Sequence, residues 1–134
     1  MKILIIDDSK TMRNILRTTI SRFFADLPQF FEAENGEEGY NLLKQHPDMT
    51  LVILDYNMPV MNGGMFLTKV REESAYNKVR IIMCTAEVKK GEVIEIVKKG
   101  VSGYVIKPFT PNTLRKTLQP IVERMGYTMR EQTE

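Results

Sequence analysis

The sequence has very little cysteine, very little histidine and almost no excess of charge. Cys84 is the one cysteine in 134 residues, so no internal disulfide can form, which fits a reducing compartment. Basic and acidic side chains number 19 and 17, a net charge of +2, and no dense basic stripe marks a nucleic-acid surface. The only histidine, His46, stands at a predicted helix end as a solvated residue with no partner for acid–base chemistry. No stretch approaches the ~20 apolar residues of a membrane span. The opening Met1-Lys2-Ile3-Leu4-Ile5-Ile6-Asp7 has too short an apolar run for a secretory signal, so a cytoplasmic location is expected. Tandem repeats, linkers and low-complexity segments are also missing. What is present, 43% hydrophobic and 27% charged residues, is ordinary for a globular chain. Its length suits one domain, expected over residues 1–126 with a short polar tail at 127–134.

Two short apolar runs organise the chain. Ile3-Leu4-Ile5-Ile6 ends in Asp7-Asp8, and Leu51-Val52-Ile53-Leu54 ends in Asp55. Continuous apolar runs of this length, bounded by turn residues, read as parallel strands buried on both faces. Further strands are expected at Gln29–Ala33, Val79–Cys84 and Tyr104–Ile106. Between them lie helical patterns: Met12, Ile15, Leu16, Thr19, Ile20 and Phe23 make one stripe. After an Asn35-Gly36 turn, a second helix carries Tyr40, Leu42 and Leu43. A Gly63-Gly64 loop precedes a third with Met65, Phe66, Leu67 and Val70. Val88, Val93, Ile94, Ile96 and Val97 make a fourth, ending at Gly100. Thr110 caps a last helix with Pro111 in its first position, and Pro120 predicts a kink or weak point inside it. Arg130 to Glu134 should fray. Five β-then-α alternations imply an α/β fold with a parallel sheet and helices on both faces.

With strand order 2-1-3-4-5, the strand ends bring Asp7, Asp8, Asp55, Thr85 and Lys107 to one edge, where open α/β sheets bind ligands. Two unit charges ~4 Å apart repel by ~4 kcal/mol at an effective dielectric of ~20, so the three acids call for a proton or a cation. Mg²⁺, which takes one or two carboxylates together with water and phosphate oxygens, suits the donor set, and the Asn57 carbonyl is a further candidate ligand. A carboxylate can attack a phosphoryl group to give an aspartyl phosphate, with a metal and an ammonium stabilising the transferring oxygens. Asp55 is then the acceptor, Lys107 and Thr85 face the phosphoryl group, and Lys107 can pair with Asp55 beforehand.

The ordered set Asp7-Asp8, Asp55-Tyr56-Asn57-Met58-Pro59, Met61-Asn62-Gly63, Thr85-Ala86-Glu87 and Gly103-Tyr104-Val105-Ile106-Lys107-Pro108-Phe109 resembles the receiver domain of bacterial response regulators, over about residues 2 to 126. The likeness is greatest to the stand-alone chemotaxis type. The resemblance implies a flavodoxin-like (βα)5 fold and a phosphoryl group received by Asp55 from a sensor histidine kinase. It implies Mg²⁺ on Asp8, Asp55 and the Asn57 carbonyl, with Asp7 acting through water. It makes Thr85 and Tyr104 a switch, and Lys107–Pro108 a cis peptide. Lys10, Tyr56 and Glu87 occupy positions where the family varies and would tune transfer rates. The implied output face, built from the fourth helix, the fifth strand and the last helix, contains Val88, Lys89, Lys90, Val93, Tyr104 and Ile106. The implied partners are the kinase, a flagellar motor switch protein and a phosphatase, with the regulator a monomer.

Simpler roles compete for each residue. Asp7, Asp8 and Thr85 can cap helices, Tyr104 can be strand packing, and Cys84 a small buried hydrophobe. Among functions, a phosphorelay intermediate or phosphate sink shares the same chemistry. A flavodoxin-type cofactor carrier would need a phosphate-cradling loop where Asp7-Asp8-Ser9-Lys10 stands. An aspartyl phosphohydrolase generally needs an acid two residues past its nucleophile, and here that residue is Asn57. A phosphate acceptor, rather than a turnover enzyme, is the reading.

Overall fold

The computed structural model describes residues 1–86, 91, 96 and 98–131. Strand β1 (Lys2–Ile6) leads into helix α1 (Lys10–Ser21), then β2 (Gln29–Ala33), α2 (Gly36–Gln45), β3 (Leu51–Leu54) and α3 (Gly63–Arg71). A 3₁₀ turn at Ser74–Tyr76 precedes β4 (Arg80–Thr85), and β5 (Gly103–Ile106) is followed by the C-terminal helix Pro111–Arg124. The five strands are parallel, in the order β2-β1-β3-β4-β5, as the sequence predicts. Of the expected fourth helix, Gly91, Ile96 and Lys98 are helical, and Gly100, at φ 93°, follows in the left-handed conformation that ends helices. Val88, Val93, Ile94 and Val97 lie outside the described residues.

Side chains alternate across a strand, so each apolar run feeds two cores. Ile3, Ile5, Leu51, Ile53, Ile82, Cys84 and Val105 pack against Leu16 and Ile20 of α1 and against Leu114, Leu118 and Val122 of the C-terminal helix. Leu4, Ile6, Val52, Leu54, Ile81 and Met83 pack against Tyr40 and Leu43 of α2 and Phe66, Leu67 and Val70 of α3. Burial on both faces explains why these strands contain no polar alternation.

Several local expectations change. Asn35 does not end a turn: its side chain accepts from the Glu38 N–H and caps α2. Gly63 and Gly64 lie inside the first turn of α3, whose N-cap is Asn62. On α1 the buried positions are Arg13, Leu16 and Ile20, while Ile15 is exposed; the buried stripe is turned toward Arg13, whose guanidinium finds acceptors in the Asp7 carbonyl and Glu32. The C-terminal helix continues through Pro120, which is exposed near its end. His46 is partly buried and packs against Phe31, ring centroids 4.3 Å apart and tilted by 41°. Arg130 does not fray: its N–H donates to the Phe23 carbonyl at 2.6 Å, its carbonyl accepts from the buried Arg115 guanidinium, and Met129 is buried in the first core.

Candidate functional site

The carboxyl edge of the sheet assembles the site through backbone register. Ile6 pairs with Leu54, and the Asp55 N–H donates to the Ile6 carbonyl at 2.9 Å, so the residues that follow the two apolar runs emerge side by side. On the other flank the Lys107 N–H donates to the Thr85 carbonyl at 2.8 Å. Thus β1, β3, β4 and β5, adjacent in the sheet, deliver Asp7, Asp8, Asp55, Thr85 and Lys107 to one place.

Asp7 is buried, Asp55 is 7% exposed and Thr85 is fully buried, whereas Asp8 faces solvent. One carboxylate oxygen from each of Asp7, Asp8 and Asp55 lies within 4.8 Å of the others. At that separation and an effective dielectric of ~20, each pair of full charges repels by roughly 3 kcal/mol. The Lys107 ammonium offsets part of this: it lies 2.7 Å from Asp7 Oδ2 and 3.7 Å from Asp55 Oδ1. The pairing with Asp55 expected from the sequence is present, but the shorter, hydrogen-bonded partner of the same ammonium is Asp7.

These contacts shift the titrations. Burial pushes the Asp55 pKa up, Lys107 pulls it back, Asp7 pushes it up again, and the net direction is upward. Burial alone would lower the Lys107 pKa, but the hydrogen bond to Asp7 and the charges of Asp55 and Asp7 outweigh it, so the ammonium is favoured. Thr85 Oγ1 is buried with no hydrogen bond of full geometry, yet it faces Asp55 and favours its charged form. Cys84, beneath the site, has its thiol pushed up to about 12, chiefly by burial, and behaves as the small hydrophobe expected.

Three hard oxygen donors in one cluster, one of them open to solvent, fit a cation of the Mg²⁺ type. Both Asp7 oxygens already accept, Oδ1 from the Ser9 N–H at 2.9 Å and Oδ2 from Lys107, which leaves Asp8 and Asp55 as the better direct ligands. Asn57 is exposed on the loop after β3. The Lys107–Pro108 peptide is cis, as the resemblance implies. Tyr104 is half-buried against the second core, and Ile106 is 55% exposed. Val88, Lys89, Lys90 and Val93, the other residues of the expected output face, and Glu87 lie outside the described residues.

Sequence reasoning missed two contributors. Gly63 lies so close to the end of β3 that a Cβ there would stand 2.4 Å from the Asp55 carbonyl oxygen, and its N–H donates to the Tyr56 carbonyl at 2.8 Å. Arg13 reaches the Asp7 carbonyl from α1 at 2.7 Å; its spacing from Leu16 and Ile20 was the available signal. The loop between β3 and α3 also holds Val60 at φ 67°, with the Met61 N–H donating to the Pro59 carbonyl at 2.7 Å. That is a γ-turn of the strained, positive-φ kind.

Comparison with known proteins agrees with this geometry. Residues 3–119 match the family model of the response regulator receiver domain. A chemotaxis protein CheY homolog of Campylobacter jejuni is 44% identical over 122 residues, covering 91% of this chain and 92% of that protein. Chemotaxis protein CheY1 of Helicobacter pylori is 43% identical over 123 residues, covering 91% and 97%. Among solved structures, chemotaxis protein CheY4 of Vibrio cholerae superposes with a TM-score of 0.79 at 34% identity, covering 90% of this chain and 97% of that one. Among the described residues, no helix is long and apolar enough to cross a membrane.

Proposed function

This chain belongs to the response regulator receiver domain family, of the chemotaxis CheY type, and from that premise we propose that it is a phosphorylation-switched signalling protein with Asp55 as its phosphoryl acceptor. The observation that carries the reading is the convergence of Asp7, Asp8, Asp55 and Lys107 at one strand edge.

The donor is a histidine kinase. The N–P bond of its phosphohistidine breaks as an Asp55 carboxylate oxygen forms a new O–P bond. Asp8, Asp55 and the Asn57 carbonyl would hold Mg²⁺, with Asp7 acting through water; when bound, the ion neutralises charge on the acids and the transferring oxygens. Lys107, already drawn to Asp7 and Asp55, is within reach of the same oxygens. Thr85 lies beside the acceptor with hydroxyl capacity to spare, so a phosphoryl group on Asp55 gives it a strong acceptor to move toward. Tyr104, on the next strand, then settles into the space that Thr85 leaves. A new dianion thus biases a two-state element, and the altered face around β5 binds a flagellar motor switch protein in the cytoplasm. A phosphatase would reverse the step.

The deciding experiment is Mg²⁺-dependent labelling by acetyl phosphate or beryllofluoride, comparing the wild-type protein with Asp55→Asn. Labelling that needs Mg²⁺ and vanishes in Asp55→Asn is expected; persistent labelling of the variant would overturn the assignment. A motor-switch peptide should then bind tighter to the beryllofluoride-treated protein. Equal binding with and without treatment would point to a relay or sink.

A further inference from the structure

Asp7 has a partner at each of its polar groups. Its N–H donates to the Ala33 carbonyl of β2 at 3.1 Å, Oδ1 accepts from the Ser9 N–H, and Oδ2 accepts from Lys107. Its carbonyl accepts from Arg13 Nη1 at 2.7 Å. Arg13 is only 8% exposed. Its Nε donates to Glu32 Oε1 of β2 at 3.0 Å, and Glu32 is shared with Arg17 at 3.2 Å.

A buried arginine requires an acceptor, and Glu32 alone would supply one. The second contact has a more particular effect. The Asp7 carbonyl and the Asp8 N–H belong to one planar peptide unit, so gripping the Asp7 oxygen fixes the rotation of the plane from which Asp8 departs. Asp8 is the solvent-facing acid of the cluster, on the chain just beyond the end of the β1 ladder, where pairing between strands no longer dictates direction.

We propose that Arg13 is a positioning residue for the cation site: anchored by Glu32, it locks the Asp7–Asp8 peptide plane and thereby aims the Asp8 carboxylate at the ion shared with Asp55. The inference rests on the reading of the site as a Mg²⁺-assisted phosphoryl acceptor. Arg13 touches neither the ion nor the phosphoryl group. Its effect belongs in the affinity for Mg²⁺ and not in the rate once Mg²⁺ saturates.

The test uses the full chain, titrated with Mg²⁺ alone while the Asp8 amide resonance is followed, and then labelled with acetyl phosphate over a range of Mg²⁺ concentrations. Supporting groups behind a metal ligand are worth about 10- to 100-fold in affinity, and a contact through the backbone belongs at the low end. Arg13→Met is expected to raise the Mg²⁺ Kd about 10-fold, to raise the half-saturating Mg²⁺ for labelling in parallel, and to leave the saturated rate within about twofold. Arg13→Lys, which keeps one donor and the charge, should recover part of the affinity. If Arg13→Met fails to fold, Glu32→Gln carries the test: it keeps an acceptor but removes the charge that anchors the far end of the guanidinium, and should raise the Kd by about threefold. Wild-type affinity in the folded variants, or in Glu32→Gln where Arg13→Met does not fold, overturns the proposal. So does a fall in saturated rate at unchanged affinity. Failure of the wild-type protein itself to bind Mg²⁺ would instead sink the proposed function, and this inference with it.

Discussion

Adjacent glycines in the first turn of α3 should respond oppositely to the same added methyl group. An alanine Cβ at position 63 would meet the Asp55 carbonyl oxygen at 2.4 Å, Tyr56 Cα at 2.9 Å and the Asp55 carbonyl carbon at 3.1 Å. All three are backbone atoms at the end of a central strand and cannot rotate away. Overpacking of this kind costs about 1–3 kcal/mol, and an immovable neighbour puts the cost near the top of that range. Removing a glycine lowers unfolded-state entropy and returns ~0.4–1 kcal/mol. Gly63→Ala should therefore destabilise by about 2 kcal/mol, lowering the Tm by about 8 °C for a domain of this size. At Gly64 the nearest atoms are Tyr56 Cε2 at 3.2 Å and Asn62 Oδ1 at 3.4 Å, both on side chains; the half-buried Tyr56 ring can give way. Gly64→Ala should leave the Tm unchanged or raise it by up to about 4 °C. Thermal unfolding of both variants by circular dichroism decides the matter. Equal losses of Tm would refute the claim that the approach of α3 to the end of β3 selects glycine at position 63. Gly63→Ala should also slow labelling of Asp55, because relief of the clash must displace the backbone that carries it.

Replacing Lys107 by methionine removes the group that pulls the Asp55 pKa down. The already raised value should climb further, visible in carboxyl-carbon NMR, and no change would mean the 3.7 Å contact carries no electrostatic weight. Because the folded-state pKa of Lys107 is raised, its contribution to stability is present below about pH 10.5 and lost as the pH rises through the folded value. The alkaline side of the stability curve should be flatter in Lys107→Met, and denaturant titrations from pH 9 to 11.5 check this. Val60→Gly relieves a positive-φ residue that is 70% exposed. Strain of ~1–3 kcal/mol less the entropy cost of a glycine predicts stabilisation by about 1 kcal/mol in urea unfolding; a loss of stability would assign the exposed valine an unrecognised packing role. Met129→Ala should cost about 2–3 kcal/mol by the same assay, because Met129 is a buried member of the first core, and a cost below about 0.5 kcal/mol would mean the packed tail adds nothing.

Strands β1, β3 and β4 were legible because burial on both faces leaves an unbroken apolar signature, whereas the strand order was a premise carried by the flavodoxin-like resemblance and not by those runs. The ends of the elements were less legible. Asn35 and Gly36 were expected to form a turn, since an asparagine side chain bonding a backbone N–H nearby serves a turn and a helix start alike. Gly63 and Gly64 looked like loop residues by helix propensity, but the contact that requires a missing Cβ at Gly63 comes from the Asp55 and Tyr56 backbone at the end of β3, and only the folded loop brings the first turn of α3 back onto it. Ile15 was expected inward on hydrophobicity. Arg13, at the opposite edge of the stripe, is buried instead because the Asp7 carbonyl and Glu32 are there to receive it, and only the folded sheet supplies those acceptors. The choice of Lys107 between Asp7 and Asp55 turns on a difference of 1 Å, 2.7 against 3.7 Å, which residue order alone does not encode.

The strap formed by Met129 and Arg130 has a consequence for experiments that label the chain. Its anchor, the Phe23 carbonyl, follows the far end of α1, whose 12 residues place it about 18 Å along the helix axis from Ser9. A reporter attached at Arg130 itself would therefore be tied to the end of α1 remote from the acids. Any load on it would reach the first core through Arg115 and Met129 before it could disturb the strand ends.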